Sequence, residues 1–122
     1  MIGTIVKEIT FESAHRLPGV GKCDNLHGHS YKLQVEVTGP IISGMVMNFS
    51  DLKRILGVVH DQFDHKYTND LMDFPSAENM VVFMWSLIKI LLPVTVELTC
   101  LRLWEQADSF VEYRGGLIDV SK

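Results

Sequence analysis

The chain predicts an α+β fold: a four-stranded antiparallel sheet carrying two helices on one face, in the order ββααββ. Two observations carry this. Ser30 to Thr38 alternates Tyr31, Leu33, Val35 and Val37 against Lys32, Gln34, Glu36 and Thr38, the period of a half-buried strand. Two later stretches, Asp51 to about Phe63 and the run between Ser76 and Pro93, repeat apolar residues at helical spacing instead.

The first strand is expected over Thr4 to Phe11, with Ile5, Ile9 and Phe11 on one parity and Lys7 as a blemish on that face. It leads into Ser13-Ala14-His15-Arg16, after which the Pro and two Gly of Leu17 to Gly21 demand a loop. The second strand ends at Gly39-Pro40, Gly44 marks another turn, and Val46 to Phe49 reads as short and extended. Ser50 is placed to cap the first helix, whose Leu52, Ile55, Leu56, Val59 and Phe63 face inward. Asp64 to Pro75 is polar and irregular. Ser76 caps the second helix, which buries Met80, Val81, Met84, Leu87, Ile88 and Leu91 and stops at Pro93. Val94, Val96, Leu98, Cys100 and Trp104 then alternate as a third strand. Phe110 to Tyr113, a Gly115-Gly116 break and Leu117 to Val120 close the chain.

With 122 residues, 47% of them apolar and 21% charged, the chain suits one domain over 1–122 with a real core. No apolar run reaches the ~18 residues of a membrane span, and no basic, hydrophobic leader is seen. Two cysteines do not make a disulfide scaffold, so a reducing cytoplasm is expected. The net charge of −4 and the lack of a Lys/Arg cluster speak against a nucleic-acid partner.

The chemistry gathers in Cys23-Asp-Asn-Leu-His27-Gly-His29. If the second strand reaches back through this stretch, His27 and His29 leave one face roughly 6 to 7 Å apart. His15, at the end of the first strand, supplies a third imidazole, and zinc held by three protein ligands keeps a fourth position open. Cys23 has two readings, a fourth ligand that would close the site or a thiolate base beside it. Cys100, on the apolar parity of its strand, reads as packing. Asp64-His65 offers an imidazole oriented by a carboxylate, against the plain reading of two solvent-facing groups; His60-Asp61 is a weaker pair of the same kind. Glu105, at a strand end, can accept two parallel N–H bonds from a guanidine-like edge, or stand as an exposed charge.

Five motifs in this order and spacing resemble one family from end to end. They are Phe11-Glu-Ser-Ala-His15-Arg-Leu17, Cys23-x-x-x-His27-Gly-His29-Ser-Tyr31, Phe63-Asp-His-Lys66, Pro75-Ser-Ala-Glu-Asn79 and Leu103-Trp-Glu105. The chain resembles the 6-pyruvoyl/6-carboxy-tetrahydropterin synthases. The resemblance implies a tunnelling (T-) fold in which three subunits close a β-barrel and two trimers stack as a homohexamer, with active sites between subunits. It implies that His15, His27 and His29 bind Zn2+, that Cys23 is the base, and that Asp64 and His65 are the acid/base pair. Glu105 would anchor the pterin, with Ser76 and Glu78 also touching substrate. Three residues between Cys23 and His27 look like the bacterial 6-carboxy branch of queuosine biosynthesis rather than the animal enzymes. That branch turns 7,8-dihydroneopterin triphosphate into 6-carboxy-5,6,7,8-tetrahydropterin, acetaldehyde and triphosphate. The 6-pyruvoyl synthase and a non-catalytic pterin-binding zinc module are the alternatives. Arg16, Lys22 and Lys66 are the basic candidates for the phosphate tail. Ala77 stands where many members carry a hydroxyl, and Gln106 where Thr is common.

Overall fold

The computed structural model describes residues 1–116. Strands β1 (Ile2–His15) and β2 (His27–Pro40) pair antiparallel over their whole length, with Phe11 opposite Tyr31 and His15 opposite His27. Helix α1 (Phe49–Phe63), strand β3 (Lys66–Tyr67), helix α2 (Ala77–Leu91) and strands β4 (Glu97–Gln106) and β5 (Ser109–Tyr113) follow. Among the described residues the sheet therefore has five strands, ordered β3-β1-β2-β4-β5, not four. The added strand is two residues long, falls between the helices and runs parallel to β1 at Ser13–Ala14. Two residues carry no alternation, so nothing in the sequence marks them as a strand. Within the described residues the sheet is open, with β3 and β5 at its edges. The expected Leu117 to Val120 stretch lies outside the described residues.

Both helices lie on one face, as their spacing predicts. Leu52, Ile55, Leu56, Val59 and Phe63 of α1 and Met80, Val81, Met84 and Ile88 of α2 are buried against Phe11, Tyr31, Leu33, Val35, Val37, Leu101 and Leu103. Phe11 and Tyr31 stack with centroids 5.0 Å apart, directly beneath the histidines. Ser76 caps α2 as expected, its Oγ accepting from Asn79 N at 3.1 Å. For α1 the cap is Asn48, whose Oδ1 accepts from Ser50 N at 2.7 Å; Ser50 lies inside the helix. Val46 and Met47 form a bend rather than an extended segment, and Phe49 begins α1. Leu91, expected in the core, is 40% exposed.

The parity read for β4 holds only at its start. Leu98 faces Val37, Cys100 faces Glu36, and Thr99 is the extra residue of a bulge. Its hydroxyl donates to Glu36, 2.8 Å from Oε2. One inserted residue exchanges the faces, so Leu101, Leu103 and Glu105 turn toward the helices. Trp104 lands on the other face opposite Lys32, whose Nζ sits 4.1 Å from the ring centroid. Cys100 is buried as expected, at 3% exposure.

Candidate metal centre and active site

The antiparallel register of β1 and β2 builds the centre. His15 and His27 are partners across the ladder, His29 sits opposite Ser13, and all three share the parity of Phe11, Tyr31 and Leu33. Their ring centroids lie 4.6, 4.9 and 5.2 Å apart, and one ligand nitrogen from each falls within 4.8 Å of the others. Cys23 is not in this group.

Hydrogen bonds set the tautomers. His15 Nδ1 donates to the carbonyl of Pro75 at 2.8 Å, and His27 Nδ1 donates to the carbonyl of Asn25 at 2.7 Å. A carbonyl can only accept, so each Nδ1 must carry its proton and each Nε2 presents a lone pair. Those two Nε2 atoms face each other at 3.0 Å. Two lone pairs this close repel unless a cation lies between them. His29 Nε2 is buried with no hydrogen-bond partner among the described residues, and burial, before any charge, holds the His29 imidazole below its ordinary pKa. It is neutral at pH 7 and ready to ligate. The donor set, three imidazoles with two oriented by backbone carbonyls, fits a divalent metal such as zinc.

Glu105 completes the same face. Its Oε1 stands 3.4 Å from His29 Nε2, and a second register shift, in the pairing of β4 with β5, falls at this residue. A cavity of about 180 Å³ joins Glu105 to Ala77, Glu78 and Phe110. Glu78 and Glu105 are thus neighbours. The Ser76 hydroxyl spends one acceptor position on the helix cap. Burial, and after it the Glu105 carboxylate, push the Tyr31 phenol well above its ordinary pKa, so it stays protonated under the site.

Asp64 and His65 do touch. Asp64 Oδ2 accepts from His65 Nδ1 at 2.8 Å, while its Oδ1 accepts from Glu12 N at 2.9 Å. The Glu12 amide first, and then His65, hold the Asp64 carboxyl below the usual range. His65 takes a left-handed backbone, φ 56°, pinned by its N–H donating to Glu12 O at 2.6 Å. The ring is 79% exposed and lines a cavity of about 500 Å³ together with Glu12, His29, Ser30 and Lys66. His60 Nε2 lies 3.6 Å from the same Asp64 oxygen.

Cys23 sits in a short 3-10 turn, Gly21–Asp24, partly exposed. Arg16, one of the basic candidates for a phosphate tail, pairs with Asp24. The partners missed in the sequence are chiefly backbone carbonyls, Pro75 and Asn25. Asn25, two residues before His27, carries a faint positional hint; Pro75, 60 residues from His15, carries none.

A family model described as 6-pyruvoyl tetrahydropterin synthase matches residues 4–116. The Haemophilus influenzae protein named 6-carboxy-5,6,7,8-tetrahydropterin synthase is 34% identical over 139 aligned positions, which cover 90% of this chain and 97% of its own. The Pyrococcus furiosus protein named dihydroneopterin monophosphate aldolase is 36% identical over 112 positions, covering 92% and 97%. Among solved structures, Caenorhabditis elegans 6-pyruvoyl tetrahydropterin synthase superposes with a TM-score of 0.85 at 26% identity, over 95% of this chain and 97% of that one.

Proposed function

This chain belongs to the 6-pyruvoyl tetrahydropterin synthase family, and from that membership we propose that it is a zinc-dependent carbon–carbon lyase acting on 7,8-dihydroneopterin triphosphate. With one water consumed, the products are 6-carboxy-5,6,7,8-tetrahydropterin, acetaldehyde and triphosphate. The reading rests above all on one observation: three imidazoles converge their free nitrogens on the sheet face that also carries the Glu105 carboxylate. The choice of branch rests on the three residues between Cys23 and His27, and the name of the Haemophilus influenzae relative agrees with it.

His15, His27 and His29 would hold the metal. Bound there, zinc would polarise the hydroxyl oxygens of the substrate side chain and make the adjacent C–H protons more acidic. Glu105 would accept two N–H bonds from the guanidine-like edge of the pterin, fixing the ring. Glu78 shares the cavity beside Glu105, and Ser76, which caps α2 immediately before Ala77, would donate its hydroxyl proton to the same ligand. Cys23 would take a proton from the side chain. His65, oriented through Nδ1 by Asp64, would deliver one at Nε2. Lys66, on the cavity that His65 lines, and Lys22, next to Cys23, would meet the phosphate tail. We place this single domain, 1–122, in the cytoplasm as a homohexamer whose sites lie between subunits. The open β3 and β5 edges support that assembly, because closure against a neighbour would pair them.

A second reading comes from the Pyrococcus furiosus relative: a retro-aldol cleavage that leaves a hydroxymethyl pterin and a phosphorylated two-carbon aldehyde. Zinc-loaded protein incubated with the triphosphate and, separately, the monophosphate of 7,8-dihydroneopterin separates the readings by mass spectrometry. Carboxylated tetrahydropterin with acetaldehyde is the expected outcome. A 6-pyruvoyl pterin would assign the sister activity, a hydroxymethyl pterin the aldolase, and no turnover of either substrate a binding module.

A further inference from the structure

The loop that carries Cys23 is closed by a pair of side chains outside the metal and pterin sites. Arg16 directly follows His15, and Asp24 directly follows Cys23. The Arg16 guanidinium pairs with the Asp24 carboxylate, and its Nε donates both to Asp24 Oδ1 and to the Asp24 carbonyl, each at 3.0 Å. The other carboxylate oxygen accepts from Gly19 N at 3.2 Å, at a residue whose φ of +80° favours glycine. The backbone closes in the same place: Leu17 N donates to Cys23 O at 2.6 Å, and Cys23 N donates to Val20 O at 2.8 Å. Arg16 is itself anchored from outside the loop. Asn69 Oδ1 accepts from Arg16 N, and Asn69 Nδ2 donates to Arg16 O, both at 2.9 Å.

We propose that Arg16 and Asp24 act as one positioning device that fixes the Cys23 thiol relative to the His15 end of the metal centre. The device rests on the reading of Cys23 as the base of the reaction. A guanidinium held by a carboxylate oxygen and the following carbonyl has two of its N–H directions fixed, which sets the turn as well as the charge. Both side chains are largely exposed, at 44% and 40%, so the pair adds little to folding and its loss is read at Cys23.

The test uses Arg16→Gln, Asp24→Asn and the double variant, in zinc-loaded protein with the triphosphate substrate. Each single variant is expected to lower kcat about 10- to 100-fold with KM unchanged, as a small misplacement of a reacting group does. The double variant should be no slower than the slower single one. Without substrate, the rate of Cys23 alkylation by iodoacetamide, followed on its own peptide, should change in the same direction in both single variants and no further in the double. Zinc content should not change. A raised KM in Arg16→Gln but not in Asp24→Asn would assign Arg16 to the phosphate tail and overturn the proposal. Additive losses, unchanged alkylation or lost zinc would overturn it too. If Cys23→Ala retains turnover, the base reading fails by itself, and the alkylation rates still judge the pair.

Discussion

The Nε2 atoms of His15 and His27 face each other at 3.0 Å because two carbonyls that can only accept have turned the rings. This makes a testable distinction between ligand and base. His27→Ala should emerge from purification without stoichiometric zinc, measured by elemental mass spectrometry, whereas Cys23→Ala should keep zinc and lose turnover. Zinc loss from Cys23→Ala would make the thiol a ligand. Asp64 supports a second prediction. Its folded-state pKa lies below the ordinary 3.8, so its contribution to stability is complete above that value and is lost as pH falls through the lower folded one. Asp64→Asn keeps an oxygen for the Glu12 amide but does not titrate. Between about pH 5 and pH 3 its melting temperature should fall less than that of the wild type, by scanning fluorimetry. Equal slopes would show that the carboxylate is not held by the fold. At this scale the sequence pointed to side chains that the fold does bring together, the three histidines, Asp64 with His65, and Glu105 beside His29. It was silent where the partner is a distant carbonyl or a loop-closing contact, as with Pro75 and the Arg16–Asp24 pair.

At the scale of elements, β4 decides where the Glu105 carboxylate points. Strict alternation from Val94 would have put Cys100 and Trp104 in the core together; the bulge at Thr99 exchanges the faces midway. Leu101 and Leu103 then go under α2, and Glu105, two residues on, arrives beside His29. The two helices were legible in detail because a 3.6-residue period over 15 residues repeats enough to be read. A bulge is a single event with no period of its own. Leu103 is fully buried, so Leu103→Ala should cost about 2–5 kcal/mol, seen as a lower urea midpoint at unchanged slope. A loss within experimental error would place Leu103 outside the core and refute the exchange of faces.

At the scale of the whole molecule, the sheet order places the Asp64–His65 pair and the Glu105 carboxylate on opposite flanks of the histidines. Asp64 and His65 precede β3 at one edge, and Glu105 lies on β4 next to the β5 edge. If copies close edge to edge, the β3 side of one chain meets the β5 side of the next, and a working site draws on two chains. Two predictions follow from the shared site and are measured together. The solution mass should be a multiple of three chains of 13.8 kDa, by light scattering. Mixing Cys23→Ala with His65→Ala subunits, after dissociation and reassembly, should restore activity that neither variant has alone. A mixture that stays inactive while its mass shows full reassembly would confine the site to one chain.

The sequence by itself determined the α+β class, both helices, the two long strands and the three histidines that could hold a metal, because periodicity and residue chemistry are local properties of the chain. Tertiary structure alone decided the fifth strand, the face on which Glu105 emerges, the tautomer of His15, and the closure of the Cys23 loop. Each of these depends on a partner far away in sequence: Lys66 beside Ser13, Glu36 opposite Cys100, the Pro75 carbonyl at His15, Asn69 on Arg16. A local pattern cannot encode a contact whose other half it does not contain.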